Sequence, residues 1–329
     1  MYILTHPNGW GRPQQVQMRR AAIPAGLIPG NKDGHSRIEL VTQGEASLHF
    51  CLSNGLTLDG NKVDTGISIV DAGGGTINIT AYRNLSDDKF EEISVPAYTH
   101  ASKGPSLRNF SRHPSIASSR LSLSDKNRPP PDLVFLVGGF PASNWLYEQV
   151  QDQIVPLGIP VCHPDTLQIP INKAVSNGAV SFYLDKLVSS RVARATYGMW
   201  IHTLYDGSNA QHSAMGHLAS VHPITGEFCL FDRFCPILLK GVKVKEKAEF
   251  HRTFNLVQRT NQTVTRCSWQ ILGYSGQSAN PTWIDDEPLS YSVVCAVEAD
   301  VSSVRPEWRI SSVGMAYQAI SYTVIPPPD

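Results

Sequence analysis

The sequence predicts an α/β lobe followed by an all-β domain, and three observations carry this expectation. Residues 67–82, ISIVDAGGGTINITAY, read as two apolar strands joined by a turn that only glycine makes easily. Residues 133–137, LVFLV, form a fully apolar strand that ends in Gly138-Gly139 and leads toward a helix. From about Tyr197 onward, period-two alternation with turn residues between the runs replaces helical spacing.

The hairpin organises the rest. Ile67, Ile69 and Val70 form a short apolar strand, and Asp71 ends it with a carboxylate where the chain must reverse. Gly73, Gly74 and Gly75 allow positive φ and let backbone N–H groups approach an oxyanion with no Cβ in the way. Thr76 adds a hydroxyl at the lip of the turn. Ile77, Ile79 and Ala81 then alternate with Asn78, Thr80 and Tyr82, the pattern of a half-buried strand. The turn suits a phosphate cradle, and taken alone it suits a glycine turn without a ligand equally well.

The composition of 329 residues, 41% hydrophobic with a formal net charge of +0, predicts a globular chain sized for two domains and argues against a nucleic-acid surface as the main partner. Six cysteines are scattered without a CxxC pair or a zinc-like Cys/His cluster, and read as reduced core thiols. Residues 1–7 have no basic start and no apolar run, and no stretch of eighteen apolar residues occurs. A cytoplasmic protein with no membrane partner is the expectation. The sequons at Asn78 and Asn261 read as chance.

In chain order, residues 2–4 read as a strand with no lead-in, so the domain is expected to begin mid-fold. Pro13 suits a first helical turn, and Pro24 ends that helix. Residues 38–41 are a second strand and residues 44–52, GEASLHFCL, a closely packing helix in which His49 reads as structural. Residues 90–95 complete a three-stranded meander. From 97 to 131, Ser, Pro, Arg and Lys dominate with no apolar period, which predicts a disordered insert. Its basic residues could bind phosphates, and Ser111 or Ser115 could be phosphorylated, but a solvated linker is the favoured reading. A helix starts near Ser143 or Asn144 with Leu146, Val150 and Ile154 on one face. Residues 159–162 are a strand, and Asn172 caps a helix through Leu187 in which Ala174, Gly178 and Ala179 permit close packing. Meander, strand, helix, strand, helix is a ribonuclease-H-like sheet. Strands follow at 228–231, 237–244, 249–254, 264–274, 291–297 and 317–324, and Trp269, Trp283 and Trp308 read as core or corner aromatics.

With these residues in hand, a resemblance becomes specific. IVDAGGGTINITAY is similar to the second phosphate motif, and LVFLVGGFPASNWL to the adenosine motif, of the actin-like ATPases. The finer match is to the DnaK-like (seventy-kilodalton) heat-shock chaperone family, in its divergent branch, to which VTQGEASLHFC, INKAVSNGAVSFYL and VARATYG are also similar. The resemblance implies ATP with Mg²⁺ as cofactors. Gly73, Gly74, Gly75 and Thr76 would hold the β- and γ-phosphates, Asp71 would order a water on Mg²⁺, and Gly138, Gly139 and Phe140 would face the adenosine. Asp71 and Thr76 are thereby the candidate catalytic residues. The resemblance also implies partners, namely the nucleotide, client polypeptides and co-chaperones. It divides the chain into a remnant of a first ATPase lobe (1–60), a second lobe (61–196) and a β-sandwich-like peptide-binding domain (197–329). Departures accompany it: the family's first phosphate motif and its lysine are expected to precede this chain's start, Asn78 stands where an acid is usual, and Gln43 aligns with a glutamate. These departures imply ATP hydrolysis that is slow or lost, as in a pseudo-ATPase relative or an unstable fragment.

Overall fold

The structure is a computed structural model that describes residues 1–54, 63–73, 76–85, 89–100, 131–139, 144–163, 173–245 and 248–324. The chain divides into two compact units, Met1–Val192 and Ala193–Asp329. The segments expected as a lobe remnant and as a second lobe therefore share one unit up to Val192.

The first unit opens with β1 (Tyr2–His6), α1 (Arg12–Ala22), α2 (Lys32–Ser36), β2 (Ile38–Thr42) and α3 (Gln43–Ser53). Pro13 sits in the first turn of α1, where its missing N–H costs no hydrogen bond. β1 and β2 pair in parallel. The unit continues through β3 (Gly66–Ala72), β4 (Thr76–Asn84), β5 (Phe90–Glu92), β6 (Ala97–His100), β7 (Leu133–Val137), α4 (Asn144–Ile154), β8 (Val161–Cys162), α5 (Ala174–Asp185) and β9 (Val188–Val192). Its main sheet runs β9-β5-β4-β3-β7-β8, with β6 also on β4. The pairs β3–β4 and β4–β5 are antiparallel, whereas β7 lies parallel to β3, and β8 to β7. A meander whose first strand carries two further parallel strands on its other side, with a helix between them, is the ribonuclease-H-like order expected from the sequence.

Both faces of this sheet are covered. Ile67, Ile69, Tyr82, Phe135 and Val137 pack against Leu48, Phe50 and Ala174 on one face. Val70, Val134 and Leu136 pack against Val150 and Ile154 of α4 on the other. The expected α4 face is thus present at Val150 and Ile154. α3 and α5 cross closely because Gly178 has no side chain: a Cβ there would lie 1.7 Å from the Ala46 carbonyl oxygen. His49 is fully buried edge-on to Phe182 at 5.6 Å, the structural role expected of it.

Two segments differ from the expectation, one through remote pairing and one through a local turn. The expected disordered insert 97–131 begins with β6, whose backbone pairs with residues 76–79 of β4. Residues 101–130 lie outside the described residues, as do Ser143 and Asn172. α5 ends at Asp185 rather than Leu187, because Lys186 turns left-handed at φ 40°.

The second unit contains β10 (Thr196–Leu204), α6 (Ala210–Ala214), β11 (Ser220–Val221), β12 (Phe228–Leu238), β13 (Lys243–Lys245), β14 (Arg252–Gln258), β15 (Arg266–Tyr274), β16 (Tyr291–Asp300), β17 (Glu307–Ile310) and β18 (Ala316–Val324). One sheet has the order β11-β12-β10-β15-β16 and another β14-β18-β17. Met199, Cys235 and Ile271 of the first share a core with Phe254 and Tyr322 of the second. The expectation of an all-β domain is corrected by α6, a helix too short to show a period, capped by the Asn209 side chain on the N–H groups of Gln211 and His212. The separate strands expected at 228–231 and 237–244 are also corrected: β12 is continuous through 238, kinked by Asp232 at φ 54°. Trp283 is buried, but Trp308 is 66% exposed and is no core residue. Among the described residues, no helix is long and apolar enough to cross a membrane.

Candidate functional site

The candidate site lies where the β3–β4 turn meets the end of β7. β3 and β7 run parallel, and Asp71 pairs across the sheet with Val137 on one side and Asn78 on the other. The chain leaves β3 and β7 at the same end, which brings Gly138 beside Asp71 and Ala72 at the end of β3. The carboxyl ends of parallel strands are where open α/β sheets take their ligands. The Gly73 N–H donates to the Thr76 carbonyl at 2.9 Å and closes the hairpin. Thr76 is partly exposed at the start of β4. Gly74, Gly75 and Phe140, predicted to hold phosphate and adenosine, lie outside the described residues.

Gly138 is fixed by geometry. Its φ is 101°, and a Cβ there would lie 2.5 Å from the Ala72 carbonyl oxygen and 2.6 Å from Asp71 Oδ1. Only glycine fits, because both the backbone conformation and the space exclude a side chain. Gly139 is different: it is exposed, and a Cβ there would meet nothing within 4 Å. Among the described residues nothing fills the space over Gly139, whereas Gly138 brings β7 against the Asp71 carboxylate.

Asp71 is 6% exposed, and burial pushes its carboxyl up to about 7. Its surroundings explain this. The cross-strand neighbour Asn78 is 1% exposed and carries no charge. Asn78 Nδ2 donates to Gln43 Oε1 at 2.8 Å, and the Asn8 N–H donates to Asn78 Oδ1 at 3.1 Å. The Gly44 N–H donates in turn to Asn8 Oδ1 at 3.1 Å. The end of β1, the start of α3 and the hairpin are thereby joined by amide groups. Asn78 and Gln43, the two positions where the resemblance leads one to expect acids, are hydrogen-bonded to each other. Two carboxylates at these positions could not make this contact unless one were protonated.

α3 is held in place by a second contact. Thr42 caps it by accepting the Glu45 N–H at 3.2 Å. The Glu45 carboxylate accepts two bonds from the Arg191 guanidinium of β9, at 2.7 and 3.2 Å. A two-pronged charged contact to a carboxylate that is 5% exposed fixes α3 against the sheet. The sequence alone marks neither Asn8 nor this ion pair. Asn8 reads in the sequence as part of a Pro-Asn-Gly turn, and nothing local marks an arginine 146 residues from its glutamate.

Among the described residues, no group of three or more His, Cys, Asp and Glu side chains is placed to hold a metal ion. Asp71 is the carboxylate that could act through a water. No protein-family model matches the chain, and no curated protein matches it. Among solved structures, a pCBH ParM non-polymerisable quadruple mutant is similar with a TM-score of 0.41 and 14% sequence identity, over 55% of this chain and 67% of that one.

Proposed function

We propose that this chain binds the phosphates of a nucleotide at the β3–β4 turn, with the nucleoside over Gly139, and hydrolyses it at a rate near background. The observation that carries the reading is the pairing of Asp71 with Asn78 and of Asn78 with Gln43 at the ligand end of a ribonuclease-H-like sheet. The Gly73 N–H already closes the hairpin on the Thr76 carbonyl, so the donors offered to an anion would be the N–H groups of Gly74 and Gly75. The amides around it offer hydrogen bonds but little negative charge, which suits a phosphate. Phosphoryl transfer depends on positioned groups and on cations that neutralise the transition state.

Asp71 would hold Mg²⁺ through a water, and the cation would supply charge neutralisation at the phosphates. That role requires an ionised carboxylate, whereas burial raises the Asp71 carboxyl to about 7 and disfavours the ionised form. Without carboxylates at 43 and 78, the site binds the cation weakly. Thr76 at the lip of the turn would donate its hydroxyl to the terminal phosphate. The DnaK-like reading, in which nucleotide binding drives capture of client polypeptides or co-chaperones by the strand-rich second unit, is supported by the motif resemblance alone.

Phosphate release tests the proposal. Wild-type protein with Mg-ATP should release phosphate no faster than an Asp71→Ala, Thr76→Ala double variant. Robust release that vanishes in the double variant would show a complete hydrolytic site and overturn the reading.

A further inference from the structure

β17 is the edge strand of the three-stranded sheet β14-β18-β17. It pairs with β18 through Glu307–Ala319, Trp308–Gln318, Arg309–Tyr317 and Ile310–Ala316. The Ser311 N–H donates to the Met315 carbonyl, which continues this ladder. Antiparallel bonding alternates, so residues 307, 309 and 311 turn their backbone groups toward β18 while Trp308 and Ile310 turn theirs outward. Trp308 is 66% and Ile310 77% exposed. They stand on the sheet face on which Phe254 and Ile320 are buried, so this apolar face runs past its cover to the edge. Glu307 and Arg309 stand on the opposite face and form a salt bridge of 2.8 Å.

We propose that β17 is a self-association edge, with two copies of the chain pairing their β17 strands antiparallel about a two-fold axis through Trp308. The order of charges selects this occupant. In that register Trp308 faces Trp308 of the second copy, and Glu307 of each copy faces Arg309 of the other, so the strand is its own electrostatic complement. The backbone phase agrees, because the outward N–H and C=O of Trp308 exchange two hydrogen bonds with their symmetry mates. The Ile310 N–H reaches the Pro306 carbonyl of the second copy. Proline has no N–H to continue the ladder, so pairing stops there and the contact closes as a dimer. The two sheets become one, and the Trp308 rings cover each other on the apolar face. The contact is small, which places the dimer among weak, concentration-dependent associations.

Sedimentation of the full chain tests this. At about 200 µM, a concentration suited to a weak dimer, wild type should sediment as twice its 36.1 kDa mass. Arg309→Glu places Glu307 against glutamate, and Glu307→Arg places Arg309 against arginine, so each single variant should be monomeric. An equimolar mixture of the two single variants should regain the dimer, which also shows that both are folded. A wild-type chain that stays monomeric overturns the proposal and leaves the edge to a different partner. So does a dimer that survives in either single variant, or a mixture that stays monomeric.

Discussion

Replacing Asp71 with asparagine keeps the shape of the side chain and removes its charge. Burial raises this carboxyl from 3.8 to about 7 in the folded chain. The folded state therefore holds the proton more tightly than the unfolded state. The stability this provides is fully present below pH 4 and is lost as pH rises through 7, because above that the folded chain must bury a carboxylate. A shift of roughly 3 units corresponds to about 4 kcal/mol at 1.36 kcal/mol per unit, an upper value because the site can relax around the charge. Asp71→Asn should then stabilise the first unit by up to about 4 kcal/mol at pH 8 and by little at pH 4. Hydrogen-exchange protection of the β3 and β7 amides, measured for both proteins at pH 4, 6 and 8, reads this locally. His49 titrates in both proteins and cancels from the difference. A variant equal to wild type at pH 8, or less stable, would refute the burial argument. It would mean that a cation or a donor satisfies the carboxylate.

Three further predictions follow from the same geometry. Gly138→Ala should destabilise the first unit by at least about 1–3 kcal/mol from backbone conformation alone, read as loss of amide protection, and should abolish nucleotide binding; an alanine variant with wild-type protection would show that β7 does not press on Asp71. Asn78→Asp should lose the bond to Gln43, add a buried charge opposite Asp71 and cost about 1–3 kcal/mol at pH 8, with much of the loss recovered when Asp71→Asn is added; equal costs with and without Asp71→Asn would deny the coupling. His49→Leu should be neutral or stabilising by about 1 kcal/mol, since neither ring nitrogen has a partner among the described residues. Burial lowers the His49 pKa from 6.5 to about 4, so wild type loses stability as pH falls through that window, and the leucine variant should lose less. A thermal-shift series from pH 7 to pH 4 checks this.

The meander, β7 and the helices α3, α4 and α5 were legible because each is decided by local pattern: a glycine turn between alternating runs, an apolar run bounded by proline and glycine, and small residues at helix crossings. What was not legible depends on partners far along the chain. β6 hides at the start of a Ser/Pro/Arg stretch, and only its pairing with β4 makes Ala97–His100 a strand. Pro236 inside β12 argues locally against a central strand, yet it pairs with Gly198 beside a shift in register, where a missing N–H is tolerated. At the site, the sequence placed Asp71 and the glycines together. It marked Asn78 and Gln43 only as departures and left Asn8 unmarked. That these amides form one network is a fact of three elements converging, and no local spacing encodes it.

On the proposed function, the hairpin takes nucleotide phosphates and a cation adds little, because the site without carboxylates at 43 and 78 binds it weakly. Calorimetric titration of the full chain with ADP, with Mg²⁺ and with chelator present, tests this most directly. Binding in both conditions, with affinities within about tenfold, a difference of about 1.4 kcal/mol, and no heat from a Gly138→Val variant, is the predicted result. Binding that requires Mg²⁺ would contradict the amide site. No binding in either condition would reduce the glycine turn to a hairpin without a ligand.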